Sequence, residues 1–274
     1  MNNDNTDNEY LSLDGLTFTT LELEQKDHIF TITLNRPARK NAINAEMTNE
    51  LIYALDYAKQ ERVIRVVVLA ANGNVFCAGG DLKAISGKGA EGLQSNVPKR
   101  GEIDDMTQRL YYLGKPSIAK IQGPVLAGAL LMVCNVTHAI AADQAHFSAP
   151  EILRGLWPFK VMAGLFRVVP PRVGLDFIMR GQRISADKAA QMGLINEVVP
   201  AEDLDTRVQA LAAELASLAP GSMQLGLAAY RAQERMSVEQ ALPYLETQWL
   251  KCLQSDDAKE GIAAFVEKRE PNWR

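Results

Sequence analysis

Cysteine is scarce in this chain: 274 residues hold three, Cys77, Cys134 and Cys252. An odd number at wide spacings, each in an apolar setting, excludes a disulfide framework and predicts buried thiols in a reducing compartment, which points to the cytoplasm. Histidine is equally rare. His138 and His146 have no paired Cys, Asp or Glu at metal-ligand spacing and His28 is expected in a turn, so no metal site is expected. There is little surplus charge: the formal net charge of −4 and a pI near 5.5 exclude a general attraction for nucleic acid or an anionic membrane. A polyanionic ligand would need a local basic site. Long hydrophobic runs are missing too, and the longest candidate, Pro124 to Cys134, is too short to span a bilayer. The opening stretch, Met1 to Tyr10, is rich in Asn and Asp and has neither a basic region followed by an apolar one nor an Arg-rich amphipathic pattern. It is expected to be a loosely attached lead-in.

What is present suits a folded protein of one large domain, or one domain with a smaller appendage, since 47% of the residues are apolar. Leu16 to Leu34 begins with Thr-rich alternation and ends in the β-branched run Ile29 to Leu34, a strand signal broken at Asn35-Arg36-Pro37. Asn44 is placed to cap a helix whose apolar face is Met47, Leu51, Ala54, Leu55 and Ala58. Val63 to Ala70 reads as a fully buried strand. Asn72-Gly73-Asn74 is a turn, followed by the glycine-containing loop Phe76 to Lys83, which leads towards a helix, and by Gly87 to Gly101, with the composition of a mobile surface loop. Ser117 to Gln122 is a second strand. Leu126 to Cys134, apolar on all sides, predicts a short helix buried in the core. Ala139 to Phe147 is strand-like and leads into Ser148-Ala149-Pro150-Glu151. Ser185 caps a helix ending near Gly193, and Ile195 to Val199 is one more strand. From Ala201 to Arg274 three or four amphipathic helices are expected. Strand, strand, helix units thus recur loosely before residue 200, giving a flexible lead-in over 1–15, an α/β core over 16–200 and a helical region over 201–274.

Three segments have residue types that could carry chemistry. Gly79 and Gly80 would let backbone approach a ligand closely and leave an N–H exposed, although a Gly-Gly turn is also an ordinary structural element. The spacing matches neither a Walker phosphate loop nor a dinucleotide fingerprint. Gly128, near the start of the expected buried helix, would bring uncommitted N–H groups to a helix end; close packing on small residues is the alternative. Glu151 follows a proline within apolar surroundings. It is either a helix opening or, if buried, a carboxylate whose pKa rises towards that of a useful general base.

In their order and spacing these segments resemble the crotonase superfamily, the enoyl-CoA hydratases and isomerases. The resemblance runs from about Leu16 to Trp273. It is carried by Leu34-Asn35-Arg36-Pro37 with Asn41-Ala42, Phe76 to Leu82, Gly123 to Gly128, Phe147 to Gly155, Gly193 to Val199, and Ala264-Phe265 with Glu267-Lys268-Arg269. It implies an α/β spiral of ββα units with a helical C-terminal region that assembles homotrimers or dimers of trimers. An acyl-CoA thioester is the implied partner, with no nucleic acid or membrane and no cofactor beyond the CoA carried by the substrate. Residue by residue, it implies that the N–H groups of Gly80 and Gly128 form an oxyanion hole and that Glu151 is the second catalytic glutamate. The neighbourhoods of Arg36, Lys40 and Lys83 are where the family binds CoA, so each is either a phosphate contact or a solvated surface charge; Ala78 counts among the implied substrate-binding residues, and Asp81 is expected to brace its loop. Leu242, Tyr244, Leu245 and Trp249 are candidates for either the subunit interface or the internal core.

Two departures shape the functional expectation. Hydratases of the family carry a further glutamate three positions after the second oxyanion glycine, where this chain has Leu131. Syn hydration wants a water held between two carboxylates, whereas shifting a double bond needs one base. The resemblance therefore favours isomerisation of a 3-enoyl-CoA to the 2-enoyl isomer. Hydration, decarboxylation or hydrolysis of an acyl-CoA, and a non-catalytic CoA-ester scaffold, stand as alternatives. The second departure is Gly155 to Lys160, where Trp157 and Phe159 would either shape the acyl pocket or pack in the core.

Overall fold

The computed structural model describes residues 10–81 and 95–273. Lys83, with the helix and half of the loop expected beyond it, falls outside these residues. Among them, the largest sheet has six strands in the order β1-β2-β3-β4-β6-β9. Strands β1 (Leu21–Lys26) and β2 (Ile29–Leu34) form an antiparallel hairpin. Strands β3 (Val66–Ala71), β4 (Ser117–Ile121), β6 (His138–Ala142) and β9 (Glu197–Val199) then add in parallel. A smaller sheet has the order β5-β7-β8, from Val125–Leu126, His146–Ser148 and Ile184–Ser185.

The chain alternates between the two sheets. It passes from β4 to β5 and then into α3 (Leu130–Asn135); it next runs through β6 and β7 to the 3-10 turn Pro150–Arg154 and α4 (Phe159–Val168). The two preceding turns of the spiral do the same with single bridges in place of a small-sheet strand: Ile43 leads into α1 (Ala45–Gln60), and Cys77 to Gly80 precede α2 (Ile103–Tyr111). This is the ββα spiral of the crotonase fold.

Burial explains the layering. Every residue of β3 up to Ala70 is buried, as a parallel strand covered on both faces requires. Val67 and Leu69 face the main core, with Met47, Leu51 and Leu55 of α1. Val66 and Val68 face the other way, onto Leu204, Val208, Ala212 and Ala216 of α7 (Leu204–Ala216). The first helix after residue 200 is therefore a layer of the α/β body. Between these parts lie α5 (Pro171–Arg180) and α6 (Ala186–Gln191), and the chain closes with α8 (Pro220–Gln233), α9 (Val238–Leu253) and α10 (Asp256–Glu267).

Three expectations are corrected. The strand read over Val63 to Ala70 starts only at Val66, and Val63 itself is exposed. Leu126 to Cys134 is not one helix: Leu126 ends β5, Ala127–Ala129 make a 3-10 turn, and the α-helix starts at Leu130. Nor is Ala139 to Phe147 one strand. Ala145 N–H turns back onto the Ala142 carbonyl at 2.9 Å, and the chain leaves the large sheet for the small one. From Ser95 to Gly101 the loop is pinned: Thr17 N–H donates to Asn96 Oδ1 at 2.6 Å, and Asn49 Nδ2 donates to the Val97 carbonyl at 3.1 Å.

Asn44 caps α1 by accepting from Met47 N–H at 2.9 Å, and the same helix carries Glu50 into the interior, fully buried. Its carboxyl accepts from the backbone N–H of Thr19 (2.8 Å) and Thr20 (3.0 Å) and from both hydroxyls. Removing it strands one buried amide, that of Thr20, and one partly buried amide, that of Thr19. Glu50→Ala is expected to lower unfolding free energy by about 3 kcal/mol, read from urea denaturation.

Candidate functional site

The three segments singled out in the sequence occupy neighbouring turns of the spiral, and the register of the inner layer brings them together. Cys77 bridges Val125, and Val125 pairs in turn with Phe147, all in parallel. Gly80 and Gly128 each lie three residues beyond that line and Glu151 four. Gly79 tightens the junction. At φ +85°, a Cβ there would stand 2.7 Å from the Leu126 carbonyl oxygen and 2.8 Å from Ala127 Cβ, so only glycine lets the two loops touch. A Cβ built on Gly128 would lie 3.6 Å from the Gly80 nitrogen.

Both glycine amides are uncommitted. The bridge to Ile43 uses the Gly79 carbonyl and the Asp81 N–H, at 2.8 and 2.9 Å, and leaves the Gly80 N–H on the opposite side, towards Gly128. Gly128 is the second residue of its 3-10 turn, where N–H groups have no partner within the helix. No hydrogen bond among the described residues uses either amide. Ala127, just before it, is held at φ 52°, a left-handed conformation that costs a non-glycine residue about 1 kcal/mol or more and persists only where the surroundings enforce it.

Glu151 is the second residue of the turn Pro150–Arg154, set by Pro150 at its start and by Gly155, left-handed at φ +72°, at its end. Its Oε2 is buried with no hydrogen-bond partner. Burial raises the pKa of this carboxyl above the ordinary range, while its own backbone amide and Arg154 pull it back in part. A half-buried carboxylate with an idle oxygen is chemically a base.

Gly80, Gly128 and Glu151 all open on one cleft of about 630 Å³. Leu131, only 4% exposed, lines it one turn of helix after Gly128. Trp157 and Phe159 line it too, the indole Nε1 held 3.4 Å from Met162 Sδ and the phenyl ring largely exposed. Lys160 is paired with Asp104 at 2.8 Å on the exposed rim. Ile43 and Ile103, at the starts of α1 and α2, complete the apolar wall. Local sequence could not have nominated these two, because only the spiral brings them there.

The residues expected near CoA divide. Lys40 is exposed, in left-handed conformation, and its carbonyl accepts from Ala78 N–H at 3.0 Å. Arg36 is neither a solvated charge nor on the cleft wall: it donates to the Ala42 carbonyl at 2.5 Å and lies 3.6 Å from Asp81, so the two brace the Gly80 loop together. Cys77 and Cys134 are buried thiols with pKa values pushed up to about 12, too high for nucleophilic work.

A family profile described as enoyl-CoA hydratase/isomerase matches residues 24–274. Over 255 residues the chain is 34% identical to enoyl-CoA hydratase EchA19 of Mycobacterium tuberculosis, covering 92% of this chain and 95% of that protein. It is 30% identical over 253 residues to the mevalonyl-coenzyme A hydratase sidH of Aspergillus fumigatus, with 90% and 92% covered. Its backbone is similar to the crystal structure of an enoyl-CoA hydratase from Mycobacterium smegmatis, at a TM-score of 0.85 and 28% identity over 93% of this chain and 99% of that one. By the profile, by these relatives and by its fold, the chain belongs to the enoyl-CoA hydratase/isomerase family of acyl-CoA enzymes.

Proposed function

We propose that this enzyme isomerises a 3-enoyl-CoA to the 2-enoyl-CoA, with the thioester oxygen on the N–H groups of Gly80 and Gly128 and Glu151 as the sole proton carrier. The observation that carries this reading is the idle, buried Oε2 of Glu151 in a cleft where Leu131 stands at the other glutamate's position. Glu151 takes a proton from C2, and the electron pair moves into the thioester as a dienolate with its charge on oxygen. The two fixed amides stabilise that charge without reorganising. The proton returns from Glu151 to C4, the double bond settles between C2 and C3, and no water or cofactor enters.

Hydration is the second reading, favoured by the names of the relatives, hydratases in both cases above. It needs a second polar group to hold the attacking water. The other carboxylates on the described cleft wall are Asp81, facing Arg36, and Glu102, paired with Lys99 at 2.6 Å. An assay on 3-enoyl and 2-enoyl thioesters side by side decides: double-bond migration should dominate, and brisk hydration without migration rejects the proposal. The exposed apolar side chains Leu242, Trp249, Ile262 and Phe265 of α9 and α10 support assembly as a homotrimer or a dimer of trimers. Tyr244 and Leu245 are half-buried.

A further inference from the structure

Away from the cleft, the molecule concentrates positive charge that the proposed chemistry does not use. Where the C-terminal ends of α1 and α2 meet β4 and α8, three depressions of about 450, 390 and 300 Å³ adjoin. Lys59 and Lys115 line the first and second, and Arg235 the first and third. Arg62, Arg167 and Arg231 join them, and no Asp or Glu among the described residues lines any of the three. The chain as a whole has 33 acidic and 29 basic residues. This face reverses that balance.

Part of the charge is structural. Lys115 Nζ donates to the Ala58 and Glu61 carbonyls at 2.6 and 2.7 Å, closing the end of α1, and burial brings its pKa down to about 8. Arg65, on the second depression, donates to the Ala216 and Trp273 carbonyls. Arg231 and Arg167 lie 4.0 and 4.2 Å from the centre of the Tyr111 ring, whose hydroxyl donates to Glu234, itself 3.9 Å from Arg231. These contacts hold two guanidinium groups in place on the wall. The side chains of Lys59, Arg62 and Arg235, all exposed, have no hydrogen bond or ion pair among the described residues.

We propose that this face is a second ligand site, taking a small anion with a diphosphate group. Several cations spread along one depression suit a ligand carrying more than one charge. Guanidinium groups fixed by stacking suit phosphate oxygens, which accept their paired N–H groups in a bidentate manner. Free pyrophosphate and a nucleoside diphosphate share this chemistry.

Calorimetric titration of the full chain with pyrophosphate and with ADP tests it. Both are expected to bind saturably, more weakly as salt is raised. Arg235→Glu and Lys59→Glu, at exposed positions lining the first depression, should each weaken pyrophosphate binding by about tenfold while turnover of a 3-enoyl-CoA is retained. Binding is read without activity, so the result stands apart from the fate of the isomerase reading. The proposal is overturned if pyrophosphate fails to bind, if both variants bind it as the parent does, or if a CoA ester displaces it completely while neither variant matters.

Discussion

Replacing Glu151 with glutamine is expected to lower kcat by about 100- to 10,000-fold, the range that a general base contributes, with acyl-CoA binding retained. The substitution keeps the size and shape of the side chain and removes only its ability to take a proton. It should not unfold the protein, because a neutral amide is easier to bury than a carboxylate whose Oε2 already lacks a partner. A melting temperature equal to or above the parent's is the expected control. The pH profile adds an independent sign. Burial favours the protonated form of Glu151, so its pKa lies above the ordinary carboxylate value. The base works only when ionised. Parent kcat/KM should therefore fall as pH drops through that raised pKa, at a higher pH than an exposed glutamate would give, and the residual rate of the variant should lack this limb. Turnover near the parent's in Glu151→Gln would move the proton-carrying role to another group on the cleft wall.

How much of this was legible in the sequence depends on whether a feature is local. The helix from Asn44 could be read because its cap and its apolar spacing lie within one stretch, and the structure keeps the cap and buries the face. Gly80, Gly128 and Glu151 could be singled out because each sits in a short segment of unusual composition. That they share a cleft could not be read without the family resemblance, since their meeting depends on the register Cys77–Val125–Phe147 across 70 positions of chain. The failures have the same origin. Leu126 to Cys134 is apolar throughout, and such a run looks alike as strand end, 3-10 turn or helix; pairing of Val125–Leu126 with Phe147–Ser148 decides it. Arg36 reads as a surface charge until the fold sets Asp81 beside it. The basic face was invisible for the most extreme version of this reason, as Lys59, Lys115 and Arg235 come from three separate parts of the chain.

The paired glycines separate catalysis from architecture by substitution with a single methyl group. At Gly128 a Cβ meets only the Gly80 nitrogen within 4 Å, at an ordinary contact distance of 3.6 Å, and no positive φ opposes it. Gly128→Ala should therefore fold with nearly the parent's stability. Its methyl group, however, would stand beside the Gly80 N–H, in the space that the proposed reaction assigns to the thioester oxygen. Loss of one such donor typically costs about 100- to 1,000-fold in kcat, and that is the expected effect here. At Gly79 the same methyl group would lie 2.7 Å from the Leu126 carbonyl oxygen and 3.0 Å from the Gly128 nitrogen, on a backbone at φ +85°. Gly79→Ala must push the two loops apart, so it should lower both stability, by about 1 to 3 kcal/mol, and activity. Thermal melting combined with single-turnover kinetics on both variants distinguishes the two effects. If Gly128→Ala turned over at the parent's rate, the thioester oxygen would not lie between these amides, and the reading of the cleft as an oxyanion site would fall with it.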